Sequence, residues 1–356
     1  MRKGLKILIC NLLICSFGLY AGNEDRAGEA GASELLINPW ARSSGWGGVN
    51  TASVEGLEAI HLNVAGLAFV RNTELIFSHV NYLSGADIGI NSVGIAKNLG
   101  ESSVLGITAM SMDFGDLQLT EVNLPDGGKG TFSPNYLNIG LSYSKAFSNS
   151  IYGGVTVKVV SESIADASAT GVTFDGGVRY VTGENGRMKF GISLRNWGPA
   201  MKYSGNGLSF EGETPVTETQ LTIQQRAADF EPPSLLNIGA SYDFYLSPLD
   251  SVGDGMAAAH MLTLAGNFTS NSFTQDQIGL GAQYAFMQKF MVRAGYVYES
   301  EISNDDMAKT AATGFSAGAT VEVPLGESGS TFGLDYSYRS TRSFSGSHSI
   351  GVRFNL

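Results

Sequence analysis

The feature that most constrains the fold is an alternation of apolar and polar side chains in segments of about ten residues, which recur from residue 73 to the end. In one of them Leu137, Ile139 and Leu141 alternate with Asn138 and Gly140. Side chains of a β-strand point alternately to its two faces, so each segment has one apolar and one polar face. We predict about fourteen strands, near residues 73–82, 87–97, 104–114, 135–147, 151–160, 171–181, 187–196, 234–244, 260–269, 275–286, 290–298, 313–324, 331–339 and 347–356.

The length of these segments favours a membrane barrel over a soluble sheet. Ten tilted residues, at about 3.3 Å each, span the apolar band of an outer membrane, which is about 25 Å tall. Strands of soluble proteins average about five or six residues. A soluble propeller is disfavoured because no repeat of about 40–50 residues is visible, and a sandwich of so many long strands would be unusual. We therefore predict an all-β fold, a transmembrane outer-membrane β-barrel of about 14 antiparallel strands over residues 73–356.

The connections give a second, independent indication of a barrel. Long gaps at 115–134, 197–233 and 299–312 alternate with short ones such as 183–186, as in barrels with long outer loops and short periplasmic turns. With the N-terminus placed in the periplasm, the long gaps face outside. The stretch 245–259 departs from the rule, because it is long where a short turn is expected.

The first 21 residues have the composition of a signal peptide. Positive side chains at Arg2, Lys3 and Lys6 precede an apolar run, and Ala21 suits a cleavage site. We therefore predict residues 1–21 to be a cleaved signal peptide and the protein to reside in the bacterial outer membrane. Both cysteines, Cys10 and Cys15, lie in this segment, so the exported chain would contain no thiol for a disulfide, a metal site or a nucleophile.

Residues 22–72 do not alternate and carry two short motifs. Residues 41–49 read A-R-S-S-G-W-G-G-V, and residues 63–68 read N-V-A-G-L-A. These motifs resemble the PorV/PorQ family of Bacteroidetes outer-membrane proteins, distant relatives of the fourteen-stranded FadL-type barrels. Trp46 stands where that family usually has Met, and Val64 where it has Pro. The resemblance implies that 22–72 form a hatch inside the barrel, marked by Arg42, Gly45, Trp46, Gly47, Gly48, Asn63 and Gly66.

The sequence shows no set of residues that would make an enzyme. The four histidines are far apart, none in a metal-binding spacing, and no Ser lies in a G-x-S-x-G context. Asp305 and Asp306 are more simply explained as a solvated acidic loop than as a calcium site. We expect no cofactor and no metal. The formal net charge of −11 makes nucleic acid an improbable partner, because binding phosphates needs Lys- and Arg-rich surface.

Three functions remain open: a protein-interaction component of a large outer-membrane machine, a FadL-type transporter of hydrophobic molecules, and a porin. The charges on the polar faces of the segments weigh against a lipid passage, which should be lined by apolar side chains, and a hatch should obstruct a porin. The family resemblance implies type IX secretion, so we predict a protein-interaction component of an outer-membrane secretion machine, with a FadL-type transporter as the alternative. We expect subunits of an outer-membrane complex or a secreted cargo protein as partners. Candidate contact residues in the long loops are Leu119, Phe132, Trp197, Tyr203, Phe210 and Phe230.

Overall fold

The computed structural model describes residues 26 and 28–356, except 101, 121, 214–219, 253–254, 305–307 and 327–328. The predicted signal peptide, both cysteines and the Asp305–Asp306 pair lie outside the described residues. Within the described part, no helix is long and apolar enough to cross a membrane.

Fourteen antiparallel strands form a closed barrel, as the alternation predicted. Each strand pairs with the next along the chain, and β14 pairs with β1 through the register Glu74 opposite Asn355. The strands are β1 Thr73–Tyr82, β2 Ile88–Gly100, β3 Ser103–Asp113, β4 Asn135–Ala146, β5 Ile151–Ile164, β6 Ala167–Thr182, β7 Met188–Trp197, β8 Leu235–Tyr245, β9 His260–Asn271, β10 Gln277–Phe286, β11 Phe290–Glu299, β12 Ala312–Pro324, β13 Thr331–Thr341 and β14 Ser347–Asn355.

The two faces of the wall differ as the alternation requires. On β4 the side chains of Leu137, Ile139 and Leu141 are exposed on the outer face, whereas Ser142 and Ser144 are buried in the lumen. The exposed apolar face repeats on the other strands and is the surface that meets the acyl chains of a bilayer. Closure leaves no unpaired strand edge, because every barrel strand has two neighbours.

The two ends of the barrel differ in their connections, and we name them the loop end and the turn end. The loop end carries the long connections 114–134, 198–234 and 300–311, and the turn end carries short ones such as 147–150. The exceptional stretch 246–259 lies at the turn end and forms a small hairpin. Two-stranded hairpins pair Leu117–Gln118 with Thr131–Phe132, Met201–Lys202 with Asp229–Phe230, Ser209–Glu213 with Gln220–Gln224, and Leu249–Val252 with Gly255–Ala258.

The residues ahead of β1, here called the luminal segment (28–72), contain only short helices. Its α-helices are α1 Ala41–Ser44 and α2 Ala59–Leu62, and its 3-10 helices are Ser33–Leu36 and Val64–Phe69. Two further 3-10 turns, Glu184–Gly186 and Asn206–Leu208, lie in connections between strands. Within the luminal segment Trp40, Trp46 and Leu57 are almost completely buried. The core of the molecule therefore lies inside the barrel, between this segment and the wall.

A β-bulge in β7 interrupts the regular alternation. Phe174 lies opposite Trp197, but Gly176 lies opposite Leu194, so Arg195 and Asn196 together face one residue of β6. Asn196 has a left-handed backbone (φ 57), and its N–H donates to Asp175 Oδ1 at 2.7 Å. Both bulged residues point inward and are buried. Because a bulge inserts one extra residue into a strand, two neighbouring side chains that strict alternation would place on opposite faces can point to the same face.

Candidate functional site

The luminal segment runs through the barrel from one end to the other. At the loop end the N–H of Gly31 donates to the carbonyl of Glu231 at 3.1 Å, and Arg26 forms an ion pair with the Glu231 carboxylate at 3.1 Å. At the turn end the chain enters β1 at Thr73. Residues 26–31 therefore lie at the same end of the barrel as the long loops, whereas the sequence predicted the N-terminus and the long loops on opposite sides of the membrane.

Hydrogen bonds attach the middle of the segment to strands around the wall. Ser78 Oγ of β1 donates to the carbonyl of Pro39 at 2.7 Å, and Ser193 Oγ of β7 donates to the carbonyl of Leu62 at 2.7 Å. Arg179 of β6 donates to the carbonyl of Val54 at 3.0 Å. These bonds satisfy backbone groups that would otherwise be buried without partners, since the segment has little secondary structure of its own.

A buried cluster of charges joins the segment to the last strands. Arg353 on β14 lies 2.8 Å from Glu322, 3.7 Å from Glu58 and 3.9 Å from Asp335. Glu58 belongs to the luminal segment, and its other oxygen accepts from the N–H of Ser43 at 2.8 Å. Burial and the Asp335 carboxylate raise the pKa of Glu58. The cluster holds the segment by charge where the wall carries its densest set of ionisable groups.

The glycines of the first motif lie where the segment turns against the wall. Gly47 and Gly48 have left-handed backbones (φ 70 and 78), which only glycine adopts freely. A Cβ on Gly45 would lie 3.0 Å from the Cα of Gly318 on β12. Trp46 between them is buried against Val49 and Ala265.

The other motif residues have distinct positions. Asn63 caps the 3-10 helix Val64–Phe69 and donates to the wall at the carbonyl of Val178, at 3.1 Å. Gly66 has no room for a side chain, since a Cβ would overlap the carbonyl of Val54. Arg42 lines a cavity at the turn end and forms no ion pair within the described chain.

A cavity of about 430 Å³ opens in the lumen at the loop end. Its volume lies in the range of small-molecule sites, about 300–1,000 Å³. Part of its wall is apolar and part carries charged or polar groups. The apolar lining comes from Leu36, Ile37, Leu62, Val80, Tyr82 and Leu235, and the charged and polar lining includes Asn38, His61, Arg195, Glu299, Lys309 and Arg339.

Three cations, Arg195, Arg339 and Lys309, line this cavity together with one carboxylate, that of Glu299. Arg195, placed by the β7 bulge, donates to His61 Nε2 at 3.0 Å, and its Nε is buried without a partner. Burial and the adjacent Arg195 guanidinium lower the pKa of His61 well below its usual value, so the ring is neutral and can accept this bond. Arg339 on β13 has no side-chain partner in the described chain. An anionic group in the cavity would meet both arginines.

A second, smaller cavity lies at the turn end, on the other side of the luminal segment. It measures about 120 Å³ and is lined mostly by polar and charged groups, among them Arg42, Glu55 and Lys189. Ser44, Gly47 and Gly48 line the loop-end cavity, and Trp46 lines the turn-end cavity. The turn that follows α1 therefore separates the two cavities.

Most predicted luminal charges are used to hold the structure together. All eight polar-face charges do face the lumen, but Asp243 pairs with Lys189, and Arg293 bonds to Gln283 at 3.0 Å. Of the eight, the loop-end cavity is lined only by Arg195, Glu299 and Arg339. The sequence argument against a hydrophobic passage therefore carries less weight, because Asp243, Glu322, Asp335 and Arg353 are paired with other residues and do not line the loop-end cavity. The eight polar-face charges are Arg195, Asp243, Arg293, Glu299, Glu322, Asp335, Arg339 and Arg353.

The six loop residues singled out as partner contacts fall into three groups. The tilted rings of Tyr203 and Phe230 pack with their centroids 5.5 Å apart, and the Tyr203 hydroxyl donates to Glu162 at 2.6 Å. Phe230 packs against Gly31, so this pair is covered by the protein itself. Trp197 lies on the outer wall beside Phe174. Leu119 and Phe210 are exposed, and Phe132 is partly buried in its hairpin.

Sequence reasoning missed the luminal residues that give the cavity its apolar wall. Leu36 and Ile37 lie in the region 22–72, which the lack of alternation and the family resemblance assign to a hatch but not to a cavity wall. A signal existed, since residues 35–37 read L-L-I within an otherwise polar N-terminal region. His61 was considered only as a metal ligand, whereas it accepts a hydrogen bond from Arg195. In the described residues no group of three His, Cys, Asp or Glu side chains is placed to hold a metal.

Comparison of the fold with solved structures finds fourteen-stranded outer-membrane barrels. The CymD monoaromatic hydrocarbon channel has a TM-score of 0.51 at 13% identity, over 90% of this chain and 97% of that one. The Pseudomonas putida toluene transporter TodX has a TM-score of 0.50 at 12% identity, over 87% of this chain and 96% of that one. The chain has the fold of these channels. No protein-family model and no curated protein sequence matches the chain.

Proposed function

We propose that this protein is a non-enzymatic outer-membrane channel for small, mainly hydrophobic molecules, and that it prefers those with an anionic head group. The observation that carries the proposal is the loop-end cavity, which combines an apolar wall with Arg339, a cation without a partner in the described chain. A molecule entering from outside would bury its apolar part against Ile37, Val80 and Tyr82. Its head group would neutralise Arg339 and Arg195.

Two further points support this function. The solved structures with the same fold are named as a hydrocarbon channel and a toluene transporter. The turn-end cavity offers a continuation of the route once the luminal segment moves, since this segment, including the turn after α1, lies between the two cavities. Under this proposal the luminal segment acts as the hatch that closes the barrel between uptake events.

Binding of a matched pair of probes tests the assignment. Decanoate and decanol share an alkyl chain, but only decanoate carries a charge. We expect Arg339→Met to weaken decanoate binding to the purified barrel by about tenfold or more, because a hydrogen bond to a charged group is lost. Decanol binding should change little.

The control variant is Arg71→Met, which removes an exposed cation at the turn end, outside the cavity. It should bind both probes like the wild type. If wild-type protein binds neither probe, or if Arg339→Met and Arg71→Met behave alike with decanoate, the proposed function fails.

A second candidate is the protein-interaction role implied by the PorV/PorQ resemblance, as a partner-holding component of a type IX secretion-like machine. It is favoured by the hairpin of Ser209–Glu213 and Gln220–Gln224 at the loop end, where Phe210, Leu221 and Ile223 are exposed. Exposed apolar side chains beyond the membrane are typical of protein contact sites. The protein-interaction role does not explain the cavity at the loop end, so we place this role second.

Crosslinking in cells distinguishes the two roles. Phe210→Ser combined with Ile223→Ser should abolish recovery of an outer-membrane partner or exported cargo if the second role is right, and should leave decanoate binding unchanged. Phe344→Ser, which replaces an exposed aromatic residue in another connection at the loop end, is the control.

A further inference from the structure

The outer wall carries a groove between β4 and β8 where large apolar side chains would be expected. Gly153 on β5 and Gly176 on β6 occupy outward positions, and no atom lies within 4 Å of the place where a Cβ of Gly176 would be. The groove has a volume of about 520 Å³ and an almost wholly apolar lining. Its walls are formed by Tyr143, Val155, Val178, Ile192, Leu194 and Leu236.

The groove lies in the part of the wall that faces acyl chains, because its lining side chains are the exposed, outward residues of membrane-spanning strands. It follows the wall from Phe147, next to the turn end, towards Leu236 at the loop end of β8. Elsewhere on the outer face an outward glycine is covered: at Gly266 of β9 a Cβ would lie 3.4 Å from Leu280. The space over Gly176 is therefore a local feature of this wall.

One charged residue lines the groove, and it lies at the turn end. Lys145 is the last outward residue of β4, and its side chain is partly exposed beside Tyr143. Lys145 forms no hydrogen bond or ion pair with a side chain of the described residues. Lysines at the ends of membrane strands reach the head-group region, where they attract phosphate.

We propose that this groove binds one phospholipid, with an acyl chain lying over Gly176 and the phosphate beside Lys145. The apolar lining and the single cation match the two chemically distinct parts of such a lipid. The site is separate from the lumen, so the proposal does not depend on what the barrel transports. The bound lipid fills a wall position that no side chain of the described residues occupies.

Native mass spectrometry of the barrel, released from nanodiscs of phosphatidylglycerol, tests the site. We expect wild-type protein to retain one lipid under conditions that strip the others. Gly176→Leu should lower that retention by about tenfold, because the new side chain replaces roughly two methylene groups of lipid contact. Gly266→Leu, at an outward glycine of β9 that does not line the groove, should retain lipid like the wild type.

The head-group half of the site is tested with diacylglycerol, which lacks the phosphate. Wild-type protein should prefer phosphatidylglycerol by about fivefold, and Lys145→Gln should abolish the preference, as expected for one basic residue beside an anionic head group. Lys289→Gln, an exposed lysine at the same end, should keep it. Equal retention by Gly176→Leu and Gly266→Leu would overturn the proposal, and so would a wild type without preference or a groove that retains decanoate instead of lipid.

Discussion

At the scale of single residues, the contact between wall and luminal segment depends on glycines of the barrel strands. Gly281 and Gly295 face inward beneath Trp46, and Gly177 and Gly191 face inward beneath Asn63. Each brings the backbone of the segment within van der Waals distance of a strand, which a side chain would prevent. The high glycine content of this chain, 46 residues, is thus partly explained by a lumen that is filled rather than open.

We predict that Gly295→Ala destabilises the folded barrel by about 1–3 kcal/mol, as expected for an added group in a closely packed interior. A Cβ there would overlap the carbonyl oxygen of Trp46, so the segment must shift. Urea unfolding followed by tryptophan fluorescence measures the change, with Gly266→Ala on the outer face as control. Equal stability of the two variants would contradict the close contact.

The sequence predicted which residues face the lumen wherever strands are regular. Arg339 and Arg353 are examples, because alternation is a property of the strand itself. It did not predict the outward position of Trp197, since the bulge at Arg195–Asn196 depends on the Asp175 carboxylate of the neighbouring strand. Nor could it predict which charges pair, because Arg353 and Glu58 are brought together only by the fold.

At the scale of elements, β5, β6 and β7 are joined by a buried polar cluster. Lys158 Nζ lies 2.8 Å from Asp175 Oδ2 and donates to Asn196 Oδ1 at 2.5 Å, and all three side chains are buried. The bulge therefore lies over an ion pair between the two preceding strands. The boundaries of these strands followed from alternation to within a few residues, whereas the cluster did not, because its members are far apart in sequence.

We predict that Lys158→Met destabilises the barrel by about 3–5 kcal/mol, because it leaves the buried Asp175 carboxylate without its cation. The double variant Lys158→Met with Asp175→Leu should be clearly more stable than the single one, since both charges are then removed. Heat-modifiability and urea unfolding provide the measurements. A double variant no better than Lys158→Met would show that the pair is not the source of the loss.

At the scale of the whole molecule, the path of the luminal segment gives the fold a definite topology. Its N-terminal side lies against loop 198–234, while its last residues lead into β1 at the turn end. If long loops face outside, residues near 29 are accessible at the cell surface. The glycine motif and the resemblance indicated a hatch. The direction in which the chain crosses the lumen depends on pairing with Glu231, and no local sequence pattern predicts this pairing.

Cysteine labelling of intact cells checks this topology. Because the exported chain is predicted to contain no thiol, only the introduced cysteine of this protein would react. We predict that Glu29→Cys, at an exposed position beside the outer loop, reacts with a membrane-impermeant maleimide added outside. Asn149→Cys in the turn between β4 and β5 should react only after the cells are broken. The reverse pattern would mean that the loop end faces the periplasm.

Movement of the luminal segment during uptake is also a property of the whole molecule. A Cβ at Gly351 of β14 would lie 3.3 Å from the Cβ of Ala41 in α1, close to the separation of about 3.5–4.5 Å found in disulfides. Ala41→Cys with Gly351→Cys should therefore lock α1, and the turn that follows it, to the wall. We predict that cells with the oxidised double variant take up decanoate no faster than cells lacking the protein, and that a reductant restores uptake. Each single variant controls for the substitutions themselves and should transport in both states. Wild-type uptake by the locked barrel would mean that molecules leave the loop-end cavity without displacing the segment, and the route through the turn-end cavity would have to be abandoned.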